Sequence, residues 1–302
     1  MEMIMLSSIL TVALLSLGAD TIEGIGPIGK IEKVQGGFGF TEGPAVDKAG
    51  NLFFTDIPNE KIHKVEDGKV SVFIEKSNHA NGLMFDGKGR LLACEMDGQI
   101  VAHSPDGKTR TVLVDKNMGN RFNAPNDLVV ANNGGIYFTD PAFRAPMPLP
   151  QGKTGVYYLS PEGKVSRLID DLPNPNGVIL SPDEKTLYVI PTGQADMMAY
   201  PIETHGKIGK GKVFCSLKQP EGKTNTGGDG LTIDIKGNLY ITSGLGIQIF
   251  SSTGMHLGTI AFPEQPANCC FAGKDMKTFY VTARTGLYKV ELPIAGHRFA
   301  GK

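Results

Sequence analysis

Six polar residues occupy the same position in six copies of one sequence pattern, and their side chains have the chemistry of cation ligands. Each residue opens a segment of 15 residues, in which an alternating apolar run, a polar turn and a second run rich in aromatic and β-branched residues follow one another. All six side chains carry oxygen and none is His or Cys, a set that favours a hard cation over zinc. In chain order the opening residues are Glu42, Asn81, Asn126, Asn176, Asp229 and Asn268.

The repeated segment also predicts the fold. The copies begin 39 to 53 residues apart, align without a gap and read "EGPAVDKAGNLFFTD", "NGLMFDGKGRLLACE", "NDLVVANNGGIYFTD", "NGVILSPDEKTLYVI", "DGLTIDIKGNLYITS" and "NCCFAGKDMKTFYVT". Each copy is typical of a β-hairpin, and two further short strands follow most copies, such as "KIHKVE" and "VSVFIE" after the first. Four antiparallel strands in about 40–50 residues are typical of a propeller blade. We therefore predict an all-β fold over residues 30–295, a six-bladed β-propeller of four-stranded antiparallel blades.

Other all-β architectures explain the pattern less well. A jelly roll or two stacked sandwiches would also be rich in short strands, but neither predicts six gapless copies. The segment "GKIEKVQGGFGF" precedes the first copy, and we expect it to complete the last blade and close the ring, which would remove the free sheet edges. The segment "RAPMPLPQGK" predicts an extended loop at the rim.

Propeller geometry gives the repeated polar residues a common location. The first strand of each blade lines a central channel, so the opening residues are expected to converge at one mouth. The second strand returns to the same face, where it ends in Asp56, Glu95 and Asp140 in the first three copies. These acids are candidates for binding sugar hydroxyls, with a structural role at the strand end as the alternative. His79, two residues before an opening residue, is a candidate substrate contact or proton shuttle, or else a structural histidine.

The charges of two opening residues support a bound cation. Glu42 and Asp229 are acidic where Asn prevails, and two carboxylates in one narrow channel repel each other unless a cation offsets them. A single divalent cation supplies the two positive charges. Calcium is the expected ion because it accepts about six to eight oxygen ligands, with Mg²⁺, Zn²⁺ and Mn²⁺ as alternatives. Asn and Asp before Gly are also common turn residues, so the pattern alone leaves a structural role open.

The composition argues against several classes of partner. The chain has 302 residues, of which 40% are hydrophobic and 20% charged, and its net charge is -1. No basic surface is indicated that would bind nucleic acid or an anionic membrane. The cysteines lack the C-x-x-C spacing of a zinc or redox site, and we expect buried free thiols. A disulfide involving Cys94 or Cys215 stays open for an exported protein.

Residues 1–19 predict a secretory signal peptide. The stretch from Met3 to Ala19 holds no charge and ends in small residues, and it is short for a membrane span. Glu2 stands where a positive residue is usual, so an uncleaved anchor or a different start are alternatives. A cleaved signal would give a mature chain without a membrane span, secreted or periplasmic. A leader that is not a signal would leave the protein in the cytoplasm.

The sequence resembles a known family at the residues that open its repeats. The combination and order of four motifs carry the resemblance to the gluconolactonase and senescence marker protein (regucalcin) family: EGP at 42–44, PND at 125–127, PNG at 175–177 and GDG at 228–230. The similarity covers about residues 36 to 292, and diisopropyl fluorophosphatase is similar as well. The resemblance implies a six-bladed propeller hydrolase with a divalent cation, commonly calcium, in its channel.

The resemblance also implies roles for individual residues. It makes four opening residues the metal ligands: Glu42, Asn126, Asn176 and Asp229. It gives Asn126 a contact with substrate as well, and it matches Arg121 to a family arginine, although the spacing of Arg121 from the PND motif differs. Asn81 and Asn268 match no ligand of the family.

These observations predict a metal-dependent hydrolase that opens a sugar-acid lactone such as gluconolactone. The cation would polarise the lactone carbonyl, and Asp229, as ligand and general base, would assist the attack of water. A phosphotriesterase-type hydrolase on the same ion is one alternative, and it needs a larger and more apolar pocket. A non-catalytic propeller that binds a protein or peptide on its rim is the other, and it has no need of both Glu42 and Asp229.

Overall fold

The computed structural model describes residues 21–299, in which six antiparallel sheets are the blades of a six-bladed β-propeller and a seventh sheet is a small hairpin. The predicted fold class is therefore confirmed. The predicted signal peptide, residues 1–19, lies outside the described residues. No helix that could cross a membrane occurs between residues 21 and 299.

The strands follow one another closely along the chain. They are β1 (Ile28–Gly36), β2 (Thr41–Val46), β3 (Leu52–Asp56), β4 (Lys61–Glu66), β5 (Lys69–Ile74), β6 (Ala80–Phe85), β7 (Leu91–Glu95), β8 (Gln99–His103), β9 (Arg110–Val114), β10 (Lys116–Asn117), β11 (Asn120–Arg121), β12 (Leu128–Val130), β13 (Ile136–Asp140), β14 (Gly155–Leu159), β15 (Val165–Ile169), β16 (Pro175–Leu180), β17 (Thr186–Pro191), β18 (Asp196–Thr204), β19 (Lys207–Ile208), β20 (Lys212–Ser216), β21 (Leu231–Ile233), β22 (Leu239–Ser243), β23 (Gly246–Phe250), β24 (His256–Ile260), β25 (Pro266–Ala272), β26 (Thr278–Ala283) and β27 (Gly286–Glu291).

Strands that follow one another in the chain make the first five blades. Blades one, two, three and five are β2–β5, β6–β9, β12–β15 and β21–β24, in which each strand pairs with the next. Blade four is built from β16, β17, β18 and β20, with the short β19 paired to the end of β18. A small hairpin, β10–β11, stands between blades two and three. Every residue of β2, β3, β6 and β7 is buried, because blades pack face to face and cover both sides of the strands nearest the axis.

The sixth blade closes the ring with a strand from the start of the propeller. Its order is β1-β27-β26-β25, and β1 pairs antiparallel with β27, with Glu32 opposite Lys289. The expectation that "GKIEKVQGGFGF" completes the last blade is thus confirmed. Lys33 Nζ also lies 2.9 Å from Glu264 Oε1 across this junction. The pairing covers an edge that would otherwise offer unpaired backbone groups.

The innermost strands of neighbouring blades approach each other very closely. The amide nitrogen of Gly82 donates a hydrogen bond of 2.7 Å to the carbonyl of Asn126, and that of Gly177 donates one of 3.1 Å to the carbonyl of Asp229. A Cβ atom on Gly43 would lie 1.9 Å from the carbonyl oxygen of Asn81. The absence of a side chain at position 43 is therefore a packing requirement of the ring.

Buried threonines add a second connection between blades. The hydroxyl of Thr55 donates to the carbonyl of Asn81 at 3.0 Å, and that of Thr139 donates to the carbonyl of Asn176 at 2.7 Å. In each case the threonine is the penultimate residue of a second strand, and the acceptor opens the next blade. These bonds fix the height of each opening residue relative to the preceding blade.

The C-terminal segment closes the far end of the channel. The amide of Ile235 donates to the carbonyl of Ala295, and the amide of His297 donates to the carbonyl of Ile233. Phe299, which is buried, then lines the narrow channel between the inner strands. The channel is thus open to solvent on the face where the blades begin.

The close packing at Gly43 gives a sharp test of the fold. We expect Gly43→Ala to lower the free energy of unfolding by about 3 kcal/mol or to prevent folding, because the methyl group overlaps backbone and the residue has a positive φ of 47°. Gly68→Ala is the matched control, since Gly68 also has a positive φ but open space around it, and about 1 kcal/mol is expected. Urea unfolding measures both, and equal losses would contradict the packing explanation.

A buried histidine should make the fold sensitive to acid. His103 is 2% exposed, and its Nε2 has no hydrogen-bond partner within the described chain. Burial, aided by the charge of Arg110, lowers the pKa of His103 to about 4. Because the folded pKa lies below the unfolded value of about 6.5, the contribution of the neutral ring is complete above about pH 6.5 and is lost as the pH falls.

We therefore expect the free energy of unfolding of the parent protein to fall more steeply below about pH 6.5 than that of His103→Leu, by up to about 3 kcal/mol near pH 4. Urea titrations at several pH values measure the difference. Parallel curves for the two proteins would show that His103 does not govern acid stability.

Candidate functional site at the channel mouth

A cavity of about 420 Å³ opens at the mouth where the blades begin. Five of the six opening residues line it together with residues of the surrounding loops. The lining residues are Phe40, Glu42, Ile57, Pro58, Asn81, Met96, Asn126, Phe143, Arg144, Asn176, Thr192 and Asp229. All four residues predicted to bind a metal thus face one space, although they are far apart in the chain.

The local backbone explains why these side chains share the mouth. The residues that follow the opening positions line a much narrower channel of about 40 Å³ beneath the cavity. Glu42 and Asn176 lie within β2 and β16, whereas Asn126 and Asp229 precede the first residue of their strands by two positions. Four opening residues are followed by glycines at which a Cβ atom would overlap the neighbouring blade: Gly43, Gly82, Gly177 and Gly230. The polar side chains of the opening residues gather above this contact, where the ring widens.

The two acids of the site are poorly compensated. Burial raises the pKa of Glu42 well above its usual value, and the charge of Asp229 raises it further, while the Gly43 amide 2.9 Å from Oε2 opposes the shift. Burial also raises the pKa of Asp229 to about 6, against a hydrogen bond from Asn176 and the charge of Arg284. Each carboxylate therefore lacks the solvation that would stabilise its charge.

The amides around the acids have unequal partners. Asn176 Nδ2 donates to Asp229 Oδ1 at 2.6 Å and to Thr192 Oγ1 at 2.9 Å. The side-chain amides of Asn81 and Asn126 face the cavity and have no hydrogen bond to any residue between 21 and 299, although both residues are buried. These two amide groups reach the open cavity, so they are available for a ligand.

This donor set fits a hard divalent cation. Glu42 and Asp229 supply two negative charges, and Asn126 and Asn176 add amide oxygens, which are the donors that calcium and magnesium prefer. Within the described part of the chain no three His, Cys, Asp or Glu side chains cluster so as to hold a metal. A cation at this mouth would therefore depend on amide oxygens as much as on carboxylates.

Asp127 is a buried acid that the sequence patterns did not single out. It follows Asn126, lines the narrow channel, and its Oδ1 accepts a hydrogen bond of 2.8 Å from the Leu128 amide. Burial raises the pKa of Asp127 to about 7, and its charge contributes to the raised pKa of Glu42. The signal was present in the repeats, because most copies have Gly at this position.

The acids at the ends of second strands hold the segments that lead to the opening residues. Asp140 accepts hydrogen bonds from the amides of Asn123 and Ala124, at 2.9 and 2.8 Å. Asp56 accepts bonds from the amides of Gly39 and Phe40 in the same way. Burial raises the pKa of Asp140 to about 7, although the two amides oppose the shift. Neither acid is among the residues that line the cavity.

Glu95 takes the corresponding place in blade two with different partners. Its carboxylate pairs with Arg110 and accepts a hydrogen bond of 3.1 Å from Asn78 Nδ2. Asn78 lies three residues before its opening residue, at the offset that Gly39 and Asn123 have in their own blades. The three strand-end acids therefore perform one positioning task.

His79 and Arg121 lie on the same face but outside the cavity lining. His79 Nδ1 is 3.3 Å from Asp97 Oδ1, and its Nε2 is 3.8 Å from Glu60 Oε1. The guanidinium of Arg121 donates to the backbone carbonyls of Phe122 and Asn123, at 3.0 and 3.2 Å. The structure does not bring these two side chains together with Glu42 and Asp229.

Comparison with known proteins places the chain in a family. The sequence profile of the SMP-30/Gluconolactonase/LRE-like region matches residues 40–285. A gluconolactonase of Zymomonas mobilis is 32% identical over 88% of this chain and 82% of its own length.

Solved structures agree with this match. The structure of a gluconolactonase from Xanthomonas campestris is 31% identical, with a TM-score of 0.81 over 90% of this chain and 91% of that one. The calcium-binding protein regucalcin of Agrobacterium tumefaciens, 21% identical, shares the fold with a TM-score of 0.75 over 90% of this chain and 96% of that one. The chain belongs to the SMP-30/gluconolactonase/LRE-like family.

Proposed function

We propose that this protein hydrolyses a sugar-acid lactone, such as gluconolactone, with the help of a divalent cation bound at the channel mouth. The observation that carries the proposal is the convergence of Glu42 and Asp229 on one cavity that also holds unpartnered amides. The relatives from Zymomonas mobilis and Xanthomonas campestris, both named gluconolactonases, support lactone hydrolysis as the reaction class.

Four residues would hold the cation: Glu42, Asn126, Asn176 and Asp229. When bound, the cation supplies Lewis-acid chemistry that polarises an ester carbonyl. Calcium is the proposed ion because every donor is an oxygen, and the regucalcin of Agrobacterium tumefaciens is described as calcium-binding. Mg²⁺, Zn²⁺ and Mn²⁺ are the alternatives.

The side chains of the site would move one proton during the reaction. Asp229, with a pKa of about 6, is largely ionised near neutral pH and accepts a proton from the attacking water. The new bond joins the water oxygen to the lactone carbonyl carbon. The ring ester bond breaks as Asp229 returns the proton to the departing ring oxygen. The free amide nitrogens of Asn81 and Asn126 are placed to donate hydrogen bonds to the substrate oxygens.

A phosphotriesterase-type reaction at the same cation site is the second candidate function. The observation that favours it is the wall of the cavity, where Phe40, Ile57, Met96 and Phe143 offer apolar surface to a substrate. Turnover of a lactone panel and of a phosphotriester, on chelator-treated protein with each cation added back, compares the two reactions. Absence of all turnover in the presence of every cation would leave the non-catalytic binding module.

The role of Asp229 gives the first prediction for this site. We expect Asp229→Asn to lower kcat for lactone hydrolysis by about 100-fold or more, since the variant cannot accept the proton. In a chelator, the melting temperature of the variant should not fall below that of the parent, because the substitution removes a poorly compensated charge. Asp97→Asn removes the same charge from a side chain that is 55% exposed on the same face, and it should stay within about 2-fold of the parent. A fully active Asp229→Asn would exclude Asp229 as the base.

The conflict between the two acids gives the second. In a chelator, both folded pKa values lie above the unfolded ones, so the protonated acids favour the folded state. Stability therefore falls as the pH rises from the unfolded pKa of about 4 through the folded pKa of Asp229, about 6, and falls further as Glu42 ionises. We expect Glu42→Gln to raise the stability of the metal-free protein near neutral pH by about 1–3 kcal/mol.

Added calcium should raise the melting temperature of the parent protein and have little effect on Glu42→Gln, because binding to the folded state alone stabilises it. Glu162→Gln, at an exposed turn, is the control and should respond to calcium as the parent does. An equal calcium response in Glu42→Gln would show that Glu42 does not bind the ion.

A further inference from the structure

The outer rim of the cavity carries a charge of the opposite sign to its floor, which is the part formed by Glu42 and Asp229. Glu42 and Asp229 form the acidic floor, whereas Arg144 is the one cationic residue among those that line the space. Arg144 is exposed, and its guanidinium makes no hydrogen bond or ion pair with any residue between 21 and 299. A cation with five donors in a fixed plane is therefore free to meet a ligand that enters.

The loop that carries Arg144 is held by specific contacts. The amide of Ala142 donates to Asn174 Oδ1 at 3.1 Å, and the amide of Gln151 donates to Asn123 Oδ1 at 3.0 Å. Phe143, immediately before the arginine, packs beside Ile57 and Met96. Arg144 itself has a φ of 59°, a conformation that L-residues rarely adopt. The arginine thus sits on an anchored loop against the cavity wall.

A second arginine stands beside another wall of the same cavity. Arg284, in the turn between β26 and β27, places its guanidinium carbon 5.6 Å from the ring centroid of Phe40, which lines the cavity. It donates to Gln265 Oε1 at 2.6 Å. Arg284 is therefore close enough to act electrostatically on the site.

The wall of the cavity between the acidic floor and the outer rim is mostly apolar. Phe40, Ile57, Pro58, Met96 and Phe143 offer no side-chain donor or acceptor to the hydroxyl groups of a sugar chain. A substrate that reaches past this wall meets an arginine, and charge-assisted bonds from arginine to carboxylate or phosphate are about twice as strong as neutral ones. Once a dication offsets Glu42 and Asp229, the floor no longer repels such an anion.

We propose that Arg144, aided by the field of Arg284, selects lactones that carry a second, anionic group at the end remote from the reacting ester. The shared chemistry of that group is an oxyanion, either a carboxylate or a phosphate. The inference rests on the proposed lactone hydrolysis and adds the substrate class. Arg144 would be a specificity-determining residue that binds the tail of the substrate and leaves the bond-breaking step unchanged.

The test compares lactones that differ in the charge of the tail. The probes are gluconolactone, a glucarolactone with a terminal carboxylate, and gluconolactone phosphorylated on its terminal carbon. With the calcium-loaded protein, the charged probes should have kcat/KM about 10-fold or more above that of gluconolactone, as one charge-assisted hydrogen bond allows. The stronger of the two charged probes identifies the oxyanion.

Variants then assign the preference to the arginines. Arg144→Gln should raise KM for the charged probes by about 10-fold or more, with kcat and the neutral probe within about 2-fold. Arg144→Lys should retain part of the preference, because it keeps the charge and loses the planar fork. Arg284→Gln should raise KM for the charged probes by about 3-fold, and added salt should remove this difference from the parent protein. Lys108→Gln, which removes a largely exposed charge from a turn on the opposite face, should change nothing.

Two outcomes would overturn the inference without affecting the proposed lactone hydrolysis. One is an equal kcat/KM of the parent protein for neutral and charged probes. The other is a decrease in kcat/KM in Arg144→Gln that is equally large for neutral and charged probes. If no lactone is hydrolysed, the proposed function fails, and calorimetric titration with gluconate and glucarate still tests the arginine. Tighter binding of glucarate that disappears in Arg144→Gln supports the tail site. Equal affinities refute it.

Discussion

The close approach of the inner strands around the axis is the constraint on which the rest of the structure depends. Neighbouring blades touch there through backbone, as in the bond from Gly82 to the carbonyl of Asn126. A side chain after Glu42 has no space, so the last polar side chains before the contact must gather at the mouth. The same packing that closes the ring therefore brings two acids together, at a cost in electrostatic energy that burial increases.

The buried acids of this fold divide by their partners. Asp56 and Asp140 accept backbone N–H groups on both oxygens, which is how a protein stabilises a carboxylate without solvent. Glu42 accepts hydrogen bonds from the Gly43 amide and from the side chain of Asn268, and Asp229 accepts one from Asn176. The charge of Asp229 raises the pKa of Glu42. The two backbone amides offset the burial of Asp140 only in part, since its pKa is still raised to about 7. Glu42 and Asp229 differ from it because they line an open cavity, where a ligand can reach them.

The sequence predicted the architecture and the floor of the cavity because both follow from repetition. Alternating runs fix strands, and six gapless copies fix their number, so Glu42 and Asp229 could be placed on a common axis before any coordinates. The rim could not be placed in this way. Arg144 faces the cavity through contacts between loops of different blades, and Arg121 turns to nearby carbonyls instead. The role of Asp140 was ambiguous because no pattern names the partner of a carboxylate oxygen.

The C-terminal segment with Phe299 closes the far end of the central channel, so the channel does not pass through the propeller. The passage beneath the floor, about 40 Å³, has room for little more than water, and the aromatic ring stands at its lower limit. A product formed at Glu42 and Asp229 must therefore leave through the same opening by which the substrate entered. Substrate and product then share one opening. An acid product that accumulates would occupy it and would inhibit binding of the lactone competitively.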